Sequence, residues 1–382
     1  MRLQDGWINQ YGTQALCATL GMSGYRAYFV GGCVRNALLG EVVTDIDIAT
    51  DARPETVTNI AKTAGFKVIP TGIDHGTVTV IAGGVVHEVT TFRRDVATDG
   101  RRAVVAYSDD IAADAARRDF TMNALYAEPS GLVIDPLGSI EDLRARRVRF
   151  VGDPQQRIRE DYLRILRFFR FHAVYGDPDA GLDAEGLAAC AALSDGVETL
   201  SQDRIGSEVR KLLAAANPAP AVASMAQAGV LARVLPGSDH RALALLIHLE
   251  DATPPRWQRR LAVLGGQVDK LRLTRQEDAE LSRIRDEIGT ILTPAALGWK
   301  LGEVPAQDVI LCRAALLEMP LPQGWRAEVQ RGAQTSFPIR AADLMPNLQG
   351  AALGVRLKQL QARWLASELR LGRDALLRGG GD

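Results

Sequence analysis

Asp45 and Asp47 flank Ile46 in the run TDIDIAT, a β-type sequence of the kind whose side chains alternate between faces. Both carboxylates then point the same way. Two neighbouring carboxylates repel each other unless a cation sits between them. Their hard oxygens suit Mg²⁺, which binds through one or two carboxylates together with substrate phosphates. Just upstream, the apolar stretch YFV ends in Gly31-Gly32 and is followed by a short amphipathic segment carrying Arg35. A glycine turn ahead of a helix lets backbone N–H groups approach a phosphate closely. Arg35 is either a partner for a phosphate oxygen or an ordinary solvated helix charge. Glu88, in GVVHEVTTF, is either a strand-edge charge or a third carboxylate, completing a metal site or receiving a hydroxyl proton. His87 alternates to the opposite face and reads as structural. The chemistry these residues suit is that of a metal-bound nucleoside triphosphate.

Two further groups bear on nucleotide recognition. In RRDFTMN, Arg118 and Asp119 are either a helix start with solvated charges or groups for the phosphate and ribose of a nucleotide. A carboxylate beside an amide such as Asn123 can tell a ribose from a deoxyribose, because the 2′-hydroxyl both donates and accepts. In QQRIREDYLRILRFFRF (155–171), a helix puts Ile158, Tyr162, Ile165, Leu166 and Phe169 on one apolar stripe. Glu160, Asp161, Arg164 and Arg167 fall opposite, as surface ion pairs or as readers of a base edge. Cytosine and adenine both present an amino donor beside a ring-nitrogen acceptor, whereas uracil and guanine reverse the pattern. A carboxylate one helical turn from a guanidinium, as Asp161 is from Arg164, therefore fits C and A and mismatches U and G. Each mismatched buried polar edge costs about 1–3 kcal/mol.

These residues must be held by an α/β scaffold. Residues 1–24 read as helical, strands read at 27–31, 43–49, 66–70, 76–82 and 84–92, and a helix at 54–64 is opened by Pro54. Residues 93–116 read as a long polar connection of the kind that is often mobile, with Asp99-Gly100 as a turn signal. A helix at 119–126 and a strand at 131–134 complete the head. Strand signals then stop, and helical periodicity runs from 155 to the end, broken at Asn217-Pro218, Pro236-Gly237, Thr253-Pro254-Pro255 and Pro338. The expected fold class is α+β: a head with a mixed β-sheet and helices at 1–143, an all-helical neck at 144–216 and a helical body and tail at 217–382.

The 382 residues suffice for two or three modules. A net charge of −1 carries no global basic excess, so nucleic acid would have to meet local patches. Residues 141–170 hold nine Arg against five acids, and 354–378 hold six basic residues against two acids around Trp364. Only six of the basic residues are Lys, as a GC-rich genome would give. Cys17, Cys33, Cys190 and Cys312 form no C-x-x-C pair, which argues against structural zinc and a disulfide scaffold. With no signal-like N-terminus and no long apolar run, a cytoplasmic protein without a membrane partner is expected.

The motifs together resemble the nucleotidyltransferase superfamily, and more narrowly the class II tRNA CCA-adding enzymes and bacterial poly(A) polymerases. The resemblance rests on YFVGGCVRNALLGEVVTDIDIAT, then HGTVTV (75–80), HEVTTFRRD (87–95), RRDFTMNAL (117–125), DPLGSIEDL (135–143) and EDYLRILRFFRF (160–171). It covers roughly the first 215 residues. It implies an RNA-binding nucleotidyltransferase in tRNA processing, using Mg²⁺, with CTP and ATP rather than deoxynucleotides as substrates and tRNA as partner; no protein partner is implied. In that resemblance Asp45, Asp47 and Glu88 are catalytic, with Asp45 and Asp47 as metal ligands. Gly31, Gly32, Arg35, Arg118, Asp119, Asn123, Glu160, Asp161, Arg164 and Arg167 bind the nucleotide. Glu160 holds Arg164 in place, and the helical tail grips the tRNA elbow. Poly(A) synthesis or addition of only part of CCA is the alternative, and a small-molecule adenylyltransferase or a silent RNA-binding protein stands further off. Gly138 is equally a hinge or a simple turn.

The sequence also departs from the family pattern. Asn36 stands where an acid usually follows Val-Arg, which removes a charge beside Arg35. Gly138-Ser139 replaces a Gly-Gly pair, Gly100-Arg101-Arg102-Ala103 replaces Gly-Arg-His-Pro, and Phe168 and Phe169 replace smaller residues. Only His240 and His248 remain in the tail, so an appended His-Asp phosphohydrolase is not expected.

Overall fold

Strand alternation sets the head. The computed structural model describes residues 1–70, 72–73, 76–99 and 102–378. Its strands are β1 (Ala27–Val30), β2 (Ile46–Thr50), β3 (Lys67–Ile69), β4 (Thr77–Ala82), β5 (Val85–Thr91), β6 (Arg93–Asp99), β7 (Arg102–Tyr107), β8 (Tyr126–Ala127) and β9 (Val133–Ile134). Seven of them form one sheet in the order β3-β4-β5-β2-β1-β8-β9. Within it β2 and β5 run parallel and their neighbours antiparallel, so the sheet is mixed, as expected. In β4, Val78, Val80 and Ala82 are buried while the residues between them are half-exposed. Fully burying an apolar side chain such as Phe29 on β1 contributes about 1.5–3 kcal/mol.

Short helices punctuate this sheet: α1 (Tyr11–Met22), α2 (Gly32–Leu39), α3 (Pro54–Thr63), α4 (Ile111–Ala116) and α5 (Ile140–Arg144). Helix α1 lies so close to β4 that a Cβ on Gly12 would sit 2.0 Å from the Ala82 carbonyl oxygen. Only glycine permits that approach. Asp110 opens α4 by accepting the Ala112 N–H at 2.9 Å, a side-chain cap.

Four expectations need correction. The N-terminal helix covers only Tyr11–Met22; before it, Arg2 makes an isolated bridge with Leu132. Residues 93–116 are not a long loop. β6 and β7 form a two-stranded antiparallel ribbon with Arg93 opposite Tyr107, and α4 follows. The β-propensity of RRDVATD and RAVVAY outweighed their polarity. The expected helix at 119–126 shrinks to one 3₁₀ turn, Thr121–Asn123. There the backbone is extended instead: Phe120 bridges Phe150, Thr121 N–H donates to Arg149, and Val151 N–H donates to Asp119. Finally, the helix at 155–171 is two helices, α6 (Pro154–Glu160) and α7 (Leu163–Tyr175). Asp161 breaks it with φ −157° and ψ 106°, its carboxylate accepting the Leu163 N–H at 3.1 Å. Asp competes with helical backbone in this way.

Beyond α7 the described residues are helical, and every Pro-based break expected there falls between helices. The chain divides into two compact units. One is Met1–Glu208 with Ser224–Arg233; the other is Val209–Ala223 with Val234–Asp382. In the second unit Trp364 is buried with Ala295, Ile339, Leu360 and Leu376, and packs edge-on against Trp299 at 5.3 Å. The apolar side of the 354–378 segment is therefore core, while Lys358, Arg363 and Arg370 are exposed. Among the described residues no helix is long and apolar enough to cross a membrane.

Candidate active site

The site begins at the turn from β1 into α2. Gly31 adopts φ +70° with ψ −122°, a backbone that disfavours any Cβ, and its N–H donates to the Leu125 carbonyl. A Cβ there would also lie 3.5 Å from the Arg118 Nη1. The turn thus brings backbone, α2 and Arg118 to one place.

Beside it a pocket of about 190 Å³ is lined by Gly32, Arg35, Asn36, Asp45, Asp47 and Tyr175, among others. Asp47 lies within β2 and is half-buried; Asp45 stands one residue before the strand and is exposed. Strand alternation therefore orients Asp47 only. Asp45 reaches the pocket from the incoming loop, accepting the Thr44 hydroxyl at 3.0 Å. Glu88 lies directly across from Asp47 on the parallel strand β5 and is exposed. His87 points the other way, fully buried against the Thr13 hydroxyl at 3.0 Å, a structural residue as expected.

Burial pushes the Asp47 carboxyl up to about 6, and the negative charges of Glu88 and Asp45 add to this against Arg118 and Arg35. The two arginines do not outweigh burial and the neighbouring acids. Among the described residues, no group of three or more His, Cys, Asp or Glu is arranged to hold a metal ion. The donor set here is the aspartate pair, which fits an ion that completes its shell with phosphate and water.

Around this pocket runs a continuous polar chain. Arg35 is nearly fully buried. Its Nε and Nη2 donate to the Asn36 amide oxygen at 3.1 and 2.8 Å, its Nη1 to the Asn123 amide oxygen at 2.5 Å, and its Nη2 to the Tyr175 hydroxyl at 2.7 Å. The guanidinium also lies 3.9 Å from the Tyr175 ring centre. Asn123 in turn donates to Asp119 at 2.9 Å, and Asp119 accepts from Arg167 Nε at 2.8 Å. Burial alone would raise the Asp119 carboxyl, but Arg167 and Asn123 outweigh it and hold it below the usual carboxylate range. Arg118 donates to Asp114 at 2.8 Å and to the Tyr126 hydroxyl at 3.0 Å. Burial works against its charge, yet Tyr126 and Asp114 more than offset that and hold the guanidinium above its ordinary value.

The residues expected to read a base edge are arranged differently from the expectation. Arg164 donates to Glu160 at 2.5 Å and to the Arg157 carbonyl at 2.7 Å, so Glu160 does hold Arg164. Asp161, in the break between α6 and α7, pairs instead with Arg204 at 2.7 Å. Its carboxylate is not one helical turn from the Arg164 guanidinium. Phe168 and Phe169 are fully buried; Phe168 packs on Phe150 at 5.4 Å and belongs to an aromatic core with Phe120. Gly138, at φ +69°, sits in a turn where Asp135 accepts the N–H groups of Ser139 and Ile140. His75 of HGTVTV, with Gly100 and Arg101, lies outside the described residues.

Sequence reasoning missed Asp114, Tyr126 and Tyr175. Asp114 carries a local signal, standing four residues before Arg118, whereas Tyr126 meets Arg118 only through the fold. Tyr175 carries a signal in hindsight, since it follows Phe171 by one helical turn on α7.

Residues 27–149 match the family described as Poly A polymerase head domain. Residues 181–241 match the one described as Probable RNA and SrmB- binding site of polymerase A. The chain is 43% identical over 199 residues to a CCA-adding enzyme of Oceanobacillus iheyensis, a match spanning 52% of this chain and 48% of that enzyme. It is 30% identical to the mitochondrial CCA tRNA nucleotidyltransferase 1 of Mus musculus, over 96% of this chain and 89% of that one. The crystal structure of the Bacillus stearothermophilus CCA-adding enzyme in complex with CTP superposes with a TM-score of 0.75 at 29% identity, covering 96% of this chain and 94% of that one. Its glycine turn, its two aspartates in one pocket beside a mixed sheet and its near full-length likeness to these enzymes together make the chain a member of the CCA-adding enzyme family, the CCA tRNA nucleotidyltransferases.

Proposed function

We propose that this protein builds the CCA end of tRNA without a nucleic-acid template. The 3′-hydroxyl of the tRNA attacks the α-phosphate of CTP, then of ATP, and pyrophosphate leaves. The observation that carries this reading is the pocket that joins Asp45 and Asp47 to Gly32 and Arg35. The likeness over nearly the whole chain to relatives named for CCA addition supports it over poly(A) synthesis. The head match alone does not separate the two.

Asp45 and Asp47 hold Mg²⁺ in this reading. Asp47, pushed up to about 6 by burial and by neighbouring acids, is a carboxylate that a divalent cation would relieve. Bound there, Mg²⁺ would supply positive charge that favours the alkoxide form of the attacking hydroxyl and neutralises the departing pyrophosphate. Glu88, opposite Asp47, is positioned to take the hydroxyl proton. Gly31, Gly32, Arg35 and Arg118 orient the triphosphate, the turn through backbone N–H groups and the arginines through charge-assisted hydrogen bonds. Asp119 and Asn123 meet the ribose, with Arg167 fixing Asp119. Arg164, oriented by Glu160, reads the base edge, and Asp161 contributes once released from Arg204.

Residues 1–143 form the catalytic head, 144–216 the neck that selects the base, and 217–382 the body and tail that hold tRNA. The RNA-binding family match at 181–241 supports an RNA role across the last two. A cytoplasmic setting is supported by four free, buried thiols, the state a reducing compartment maintains.

The test is extension of a tRNA lacking its CCA end, with CTP and ATP singly and together. Addition that stops after C, C and A is expected. A long adenosine tract would point to a poly(A) polymerase, and addition of C or A alone to a partial enzyme.

A further inference from the structure

Asn36 lines the same pocket as the two aspartates, and its contacts give it a role. Its amide is used at both ends. The oxygen accepts from Arg35 Nε and Nη2 at 3.1 and 2.8 Å. The Nδ2 donates to the Val42 carbonyl at 2.8 Å, in the loop that carries Asp45. Only this amide orientation satisfies both neighbours, since a reversed amide would set donors against donors. The other partners of Arg35 are the Asn123 amide and the Tyr175 hydroxyl. Every acceptor on this buried guanidinium is therefore neutral, and no carboxylate among the described residues lies within ion-pair distance of it. Asp119, an acid whose charge acts on it, is itself taken by Arg167.

A carboxylate at position 36 would change two things. It would neutralise Arg35, and it would set an oxygen against the Val42 carbonyl where a donor now stands. An unneutralised buried cation beside a phosphate cradle attracts anions more strongly than a paired one. We propose that Asn36 is a positioning residue that aims Arg35 and tethers the Asp45 loop while leaving the Arg35 charge free for the triphosphate and the departing pyrophosphate. This rests on the reading of the pocket as the nucleotide site.

The experiment compares the full-length chain with Asn36→Asp and Asn36→Ala in extension of tRNA lacking CCA, over a range of ionic strength, with inorganic pyrophosphate as inhibitor. For Asn36→Asp we expect the KM for CTP and the inhibition constant of pyrophosphate to rise about tenfold, the scale of one charge-assisted contact, with kcat changed less than about threefold. The KM should also respond less steeply to salt than in the native chain, because the pocket has lost one net positive charge that attracts the incoming anion. Asn36→Ala loses the aim but keeps the charge, so its KM should rise about threefold while its salt response stays native. A purely structural role would instead lower the melting temperature and kcat together. KM and pyrophosphate inhibition within about twofold of native in both variants would overturn the proposal, and if Asn36→Asp fails to fold, Asn36→Ala alone decides it. Asp45→Ala is run alongside. If it still extends tRNA, the nucleotide-site reading fails; if it is inactive while both Asn36 variants behave as native, only the role of Asn36 fails.

Discussion

The two compact units each contain a dense group of charges, and the two groups are in opposite conditions. In the second unit Arg259 and Arg260 are buried, at 0% and 1% exposure, and every charge is answered. Glu250 accepts from both, Asp308 accepts from Arg259 and Arg256, and Arg260 also caps the carbonyls of Leu213 and Ala215. In the first unit Asp45, Asp47 and Glu88 have one another for company, and Arg35 is held only by neutral acceptors. A satisfied network stabilises a fold and needs nothing further. An unsatisfied one costs stability and suits a ligand, which on our proposal is a metal-bound triphosphate. Perturbed, incompletely paired groups in a cleft are the physical mark of a functional site.

The sharpest way to break this comparison is to remove one charge from each group. Asp45→Ala should lower kcat by on the order of 10³-fold or more, since metal-borne charge stabilisation is worth several kcal/mol and each about 1.4 kcal/mol is tenfold. Its melting temperature should hold or rise, because a repulsive neighbour is gone. tRNA extension assays and thermal melts read both, and a marked loss of stability would contradict the contrast. Glu250→Ala should do the reverse. It strands two buried guanidiniums and should cost about 3–5 kcal/mol in urea unfolding, with specific activity of the folded fraction unchanged.

Smaller effects sharpen the picture. Arg164→Ala should blur selection of C and A over U and G by about 1–3 kcal/mol, measured as ratios of kcat/KM, without changing head stability. Asp161→Ala should do less, because that carboxylate is turned to Arg204. Last is acid sensitivity. Asp114 is buried, yet Arg118, Tyr126 and Arg117 outweigh burial and hold its carboxyl below the ordinary value. A depressed carboxyl stabilises the fold above its unfolded value, near 3.8, and loses that contribution as pH falls through the folded value. Asp114→Asn should therefore be less stable than native at pH 7 and lose less stability on acidification, as melting curves between pH 7 and pH 3 would show.

Much of this was legible in the sequence, and for identifiable reasons. Local signals carried the head: alternation gave β4 and β5, Pro54 opened α3, and the glycine turn and the acids at 45 and 47 stood within one short stretch. What failed depended on distant partners. The segment at 119–126 reads as helix by itself, but the pairing of Phe120 with Phe150 pulls it into extended backbone. The ribbon β6–β7 gains its order from cross-strand pairing that a polar composition hides. At the site, Asp45 and Asp47 could be seen together because they are neighbours in the chain. Tyr126 and Tyr175 meet Arg118 and Arg35 only once the chain has folded, while Asp114 stands a helical turn before Arg118 and was within reach of a local reading. The break at Asp161 had a local cause, the habit of Asp to bond backbone two residues on, and periodicity concealed it.

The most direct test is Mn²⁺ binding, followed by electron paramagnetic resonance, in the presence of a nonhydrolysable CTP analogue. Native protein should bind Mn²⁺ and the analogue together. Asp45→Ala and Asp47→Ala should retain their fold and lose the nucleotide-dependent Mn²⁺ signal. An undiminished signal in both variants would contradict the assignment of these two aspartates as the metal-holding pair.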